Sequence, residues 1–154
     1  THAGHYCETR CAWLAETLAS LGDREVFLFM HHPPFDTGIP ASDNIGLQQK
    51  DAFRQVIEPH RHRIRHLFYG HVHRPICGSW LGIPTSTLRA INHQVWLDME
   101  STKLRGSFEP PAYGVIQVAD DRVVVHFHDF MDASEKFDLH DSPWDDWSRR
   151  RPHP

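Results

Sequence analysis

The chain has 154 residues, the size of one ordinary domain, and is 40% hydrophobic and 23% charged, a globular profile that can bury a sizeable core. Its 16 Lys+Arg against 20 Asp+Glu give a formal net charge of −4, which argues against a nucleic-acid or anionic-membrane binder and leaves small substrates and protein partners open. No apolar run approaches membrane-spanning length and no signal peptide opens the chain, so the expected location is cytoplasmic.

The chain opens without an initiator methionine and reads as a piece of something longer. Residues 1–7 read as a loop. Residues 8–21 read as a helix, with Cys11, Leu14, Leu18 and Leu21 at helical spacing and Gly22 as its stop. Three cysteines, at 7, 11 and 77, do not form a disulfide pattern. Cys7 and Cys11 read as a packed, reduced pair; a zinc knuckle with His2 and His5 is the alternative.

Residues 25–30 are a continuous apolar run, expected as a strand buried on both faces, ended by His31-His32-Pro33-Pro34. Residues 35–45 read as a long loop and 46–57 as a helix with Phe53, Val56 and Ile57 on one side. Within the loop, Asp36 and Asp43 are expected as turn residues, with substrate contact as the alternative. His60 to His66 is a locally basic run, expected as a solvated connection. A second apolar strand, 64–69, ends in Gly70-His71-Val72-His73. Beyond residue 75 the chain reads as mostly β, with runs at 75–80, 83–89, 92–97, 112–118 and 122–128 and a hairpin turn at Asp120-Asp121. From about 138 the sequence is irregular, with Trp144 and Trp147 as docking candidates and Arg149-Arg150-Arg151 as a solvated basic tail.

Histidine is the compositional oddity, at 14 residues. Two histidines at i and i+2 leaving a strand can direct both imidazoles to one side, and neutral imidazoles supply nitrogen donors to a metal. Gly70 allows a close backbone approach or an unusual turn. If strands 25–30 and 64–69 are parallel neighbours joined by helix 46–57, both strand ends lie on one edge, where open α/β sheets bind ligands. The histidines at 31–32 and 71–73 then converge.

The wording around these histidines, Phe29-Met30-His31-His32-Pro33-Pro34-Phe35 and Tyr69-Gly70-His71-Val72-His73-Arg74-Pro75, resembles the calcineurin-like metallophosphoesterases. Within them it is similar to the class III cyclic-nucleotide phosphodiesterases and glycerophosphodiesterases. Arg10, Trp13 and Leu14 and the stretch Glu109 to Gly114 extend the likeness over roughly residues 5–128. That family carries Asp-x-His, Gly-Asp, Gly-Asn-His-Asp/Glu, a strand-ending His and Gly-His-x-His in order; the last two are present here. The resemblance implies the C-terminal half of a four-layer αββα sandwich with mixed sheets over residues 1–137, with 138–154 as an extension. It implies that His31 and His71 bind one metal and His73 the other, with His32 facing substrate or supporting the site. It implies two transition metal ions, Mn, Fe or Zn, that hold a phosphodiester and activate water, with only part of the binuclear site on this chain, which alone is weakly active or inactive. The implied partners are a small phosphodiester and either a second copy or the half bearing the other motifs. The rival readings are a phosphomonoesterase or nucleotide hydrolase of the same fold, a non-catalytic dimerising fragment, and a His-rich metal-binding domain.

Overall fold

The computed structural model describes residues 3–134 and 136. The extension expected over 138–154, with Trp144, Trp147 and the basic run, lies outside the described residues, as does His2.

Leu14 and Leu18 are one helical turn apart and both are buried on helix α1 (Glu8–Ser20). Gly22 follows at φ 57°, a left-handed conformation that costs glycine little, and it stops the helix as expected. Strand β1 (Val26–Met30) comes next. Two helices then cross over to strand β2 (Ile64–Tyr69): a short α2 (Pro40–Asp43) and α3 (Lys50–Ile57), which runs on into a 3₁₀ segment, Glu58–Arg63.

Strands β3 (Ile76–Trp80) and β4 (Ile83–Thr87) complete a four-stranded sheet of order β1-β2-β4-β3. β1 and β2 pair in parallel, as expected, and so do β2 and β4; β3 runs antiparallel to β4. The sheet is therefore mixed and the class is α/β. Leu14 and Leu18 of α1, Phe53 and Ile57 of α3, and Ile64, Leu67 and Ile83 of the sheet share one core cluster. Near the opposite face stands the hairpin β7 (Tyr113–Ala119) and β8 (Arg122–His128), which turns at Asp120-Asp121 as its sequence predicts. It is tied to β2 where Arg65 donates to the Ala119 carbonyl at 2.7 Å. A cleft of about 250 Å³, lined by Phe29, Phe68, Ile116, Val125 and Phe127, separates hairpin and sheet.

Several expectations are corrected. β1 is not buried on both faces: it is the edge of its sheet, and Phe29 is 69% exposed while stacked on Phe68. The helix expected from residue 46 starts at Lys50, because the loop before it is organised otherwise. Pro40 opens α2 within that loop, and the Asp43 carboxylate accepts from Thr37 N, Thr37 Oγ1 and Gly38 N at 2.8–2.9 Å. Asp43 is thus a turn residue; Asp36 pairs with Lys50. The basic run is not wholly solvated. Arg63 is buried and donates to the Leu18 and Arg24 carbonyls, and buried His66 meets Ser86 Oγ at 2.8 Å. The strand expected at 92–97 shrinks to β5 (Gln94–Val95), which pairs with an unforeseen β6 (Gly106–Ser107).

Candidate metal centre

Parallel pairing brings the C-terminal ends of β1 and β2 side by side, with Met30 opposite Tyr69. The residues that leave those ends therefore start from one edge. The Gly70 amide donates to the His31 carbonyl at 2.9 Å and locks the two exits together. A Cβ on Gly70 would lie 3.4 Å from His31 Nδ1, so glycine lets the backbone approach the imidazole. Gly70 itself is not the left-handed residue. That conformation falls on His71 at φ 70° and His73 at φ 49°. Such strain costs about 1–3 kcal/mol per residue and persists where the surroundings enforce it. Val72 between them is fully buried and anchors the turn.

The result is a cluster. Each of His31, His32 and His71 offers a ring nitrogen, and these atoms lie within 4.8 Å of one another. The ring centroids are 4.7 Å apart for His31–His32, 5.4 Å for His31–His71 and 4.2 Å for His32–His71. His31 faces solvent and the other two are half-buried. Burial, and then the neighbouring His32 and His31, pull the His71 pKa down to about 4. The same causes, burial and then His32 and His73, lower that of His31. Both rings are neutral near pH 7, the form that donates a lone pair to a metal. His71 Nε2 is buried without a hydrogen-bond partner. A buried, orphaned nitrogen amid two further imidazoles fits a transition metal ion.

His73 stands outside this cluster. Its Nδ1 is 2.9 Å from the His93 carbonyl, and the two rings are 4.8 Å apart. A carbonyl only accepts, so Nδ1 carries the proton and Nε2 keeps its lone pair. Metal-binding imidazoles are commonly held in this way. The loop that carries His93 is fixed by buried Gln94, whose side chain bonds the Ala90 amide and carbonyl at 2.9 and 2.8 Å. The sequence reads 92–97 as a strand-like run and gives no sign that His93 contributes its backbone to the site.

Gly4 was missed altogether. It pairs with Leu47 and exchanges backbone hydrogen bonds with Gly46 and Gln48. A Cβ there would fall 2.6 Å from His32 Cγ and Nδ1, so Gly4 forms the wall behind that ring. No local pattern could have found this contact. Cys7, Cys11 and Cys77 are free thiols. Among the described residues, His31, His32 and His71 are the group close enough to hold a metal, and neither His5 nor the thiols join it.

A mixed α/β sheet with imidazoles gathered where its parallel strands end is a candidate metal-binding α/β protein. Comparison with known proteins narrows the class. No protein-family model matches the chain. Over 143 residues, 92% of its length, it is 46% identical to a protein of Rhodopseudomonas palustris named probable cyclic nucleotide phosphodiesterase, and spans 52% of it. It is 33% identical over 111 residues to a protein of Arcobacter nitrofigilis named probable glycerophosphodiester phosphodiesterase, covering 71% of the chain and 40% of that relative. It is 26% identical over 123 residues to a cAMP/cGMP dual specificity phosphodiesterase of Mycobacterium tuberculosis, covering 80% of the chain and 38% of that relative. The resemblance drawn from residues 31–32 and 70–73 thus stands: the chain is similar in sequence to proteins named as cyclic nucleotide and glycerophosphodiester phosphodiesterases. It spans about half the length of these relatives or less. No helix among the described residues is long and apolar enough to cross a membrane.

Proposed function

We propose that the chain carries the histidine part of the metal centre of a phosphodiesterase, whose substrate is a cyclic nucleotide or a glycerophosphodiester. The observation that carries this is the meeting of His31, His32 and His71 around the orphaned His71 Nε2. His31 and His71 would hold one transition metal ion, Mn, Fe or Zn, and His73 a second through its free Nε2. A bound metal pair would supply Lewis acidity to the phosphate and lower the pKa of water. The chain's own residues do the positioning. Gly70 clamps His31 to the β2 exit, Val72 anchors the turn, and Gly4 sets the plane of His32, which would face the substrate.

The parent fold in this reading is an αββα sandwich, and the remaining ligands come from motifs outside this chain. The apolar residues exposed on the hairpin, Tyr113, Val115 and Val118 among them, favour its association with such a partner segment or a second copy. Free thiols at Cys7, Cys11 and Cys77 favour a cytoplasmic setting.

The test uses the full-length protein, its metal content, and turnover of bis(p-nitrophenyl) phosphate against p-nitrophenyl phosphate. About two metals per chain and cleavage of the diester, both lost in His71→Ala, are expected. Cleavage of the monoester alone would shift the reading to a phosphomonoesterase or nucleotide hydrolase. Metal retention without turnover would leave a metal-binding domain.

A further inference from the structure

His73 is the histidine of the pattern whose place is not explained by the β1–β2 edge. It is left-handed, it follows the anchored Val72, and its chain neighbour Arg74 points away from the cluster into a set of charged groups. At the centre of that set is Glu109, two residues beyond β6. One carboxylate oxygen, Oε2, takes the Arg74 guanidinium and accepts from Ser107 Oγ at 2.6 Å. The other, Oε1, lies 3.8 Å from Arg89 Nη2, and Arg89 in turn reaches Asp129 at 2.6 Å. Arg74, Arg89 and Glu109 are partly buried, with side chains 15%, 20% and 31% exposed, so theirs is not a fully solvated surface pairing.

Traced from residue to residue, the contacts close a ring. His73 donates to the His93 carbonyl; His93 precedes β5; β5 pairs with β6, Gln94 opposite Ser107 and Val95 opposite Gly106. Ser107 donates to Glu109, Glu109 holds Arg74, and Arg74 is bonded in sequence to His73 and donates to the Val95 carbonyl at 3.4 Å. His73 is thus gripped from two sides, through its own ring and through the next residue. Both grips end on the same two-stranded unit.

We propose that Glu109 is a positioning residue for His73. By fixing Arg74 against β5–β6 it holds the left-handed His73 backbone and the Nδ1–H to His93 hydrogen bond, and so aims Nε2. Glu109 touches no imidazole of the cluster; it acts through Arg74. The function this serves rests on the phosphodiesterase reading, but the positioning itself does not.

Two arms keep the two ideas apart. In the metal-free full-length protein, long-range ¹H–¹⁵N imidazole spectra report the His73 tautomer. Wild type should show Nδ1–H, and Glu109→Gln a mixture of both tautomers. Asp129→Asn removes another ion pair of the same network, one that does not reach Arg74, and should leave the His73 signals as in wild type. In the second arm, Mn²⁺ affinity and diester turnover are measured on the same proteins. Glu109→Gln should weaken binding at one class of site and lower kcat by about tenfold with little change in KM, while Asp129→Asn matches wild type. An unchanged His73 tautomer in Glu109→Gln overturns the proposal, and so do equal effects from Asp129→Asn, which would mark a general loss of stability. A wild type that neither binds Mn²⁺ nor cleaves the diester, with the tautomer shift still present, sinks the phosphodiesterase reading and leaves the positioning role standing.

Discussion

Gly4 stands directly behind His32, so close that a side chain at position 4 would collide with the imidazole, 2.6 Å from Cγ and Nδ1. The contact includes the base of the ring, since His32 Cβ would be 3.1 Å away, so turning the ring about the Cβ–Cγ bond leaves Cγ in the clash and the whole side chain must move. Gly4→Ala should therefore displace His32 and weaken metal binding by about tenfold. Gly70→Ala, whose Cβ would meet His31 Nδ1 at 3.4 Å, should cost less. Mn²⁺ titration of both variants beside wild type checks the order. A Gly4→Ala protein with wild-type affinity would show that the place of His32 does not matter to metal binding.

Metal should also act as a stabilising ligand. A site formed in the folded state and lost on unfolding raises stability by about 2.7 kcal/mol at a hundredfold excess over Kd. Thermal unfolding with Mn²⁺ or Zn²⁺ should shift upward relative to a chelator-treated sample. In His71→Ala the shift should vanish, because the buried Nε2 is gone.

Protonation gives a separate handle on the sheet. Burial lowers the pKa of His66, whose Nε2 meets Ser86 Oγ. The folded state thus prefers the neutral ring more than the unfolded chain does. The stability this contributes is present in full above the unfolded pKa of about 6.5, and is lost as pH falls through the lowered folded value. Thermal midpoints of the metal-free protein should fall as pH drops from about 7.5 to about 5. His66→Gln, which keeps a hydrogen-bonding group but does not titrate there, should show a shallower fall. Identical slopes would remove His66 from the account.

Leu67 is fully buried between the helices and the sheet, in one cluster with Leu18 and Ile57. Leu67→Ala should destabilise by about 2–5 kcal/mol through lost burial and the cavity left behind. Phe29→Ala on the same sheet should cost much less, because Phe29 is largely exposed. Denaturant midpoints of the two variants give the comparison directly.

Local pattern determined much of this protein from sequence alone. Leu14, Leu18 and Gly22 mark α1 and its stop, the apolar runs mark β1 and β2, and Asp120-Asp121 marks the hairpin turn, because each signal lies within a few residues of the element it specifies. The histidines were legible for the same reason: a run that ends in His31-His32 or Gly70-His71-Val72-His73 places them at a strand end. Periodicity says which way a side chain points, and it cannot say what stands opposite. Only the tertiary structure set Gly4 against His32, carried His73 to the His93 carbonyl, drew Arg63 inward to Leu18, and left Phe29 at an open sheet edge. Each of these depends on segments distant in sequence, whose meeting is fixed by the order of the strands and the closure of the core.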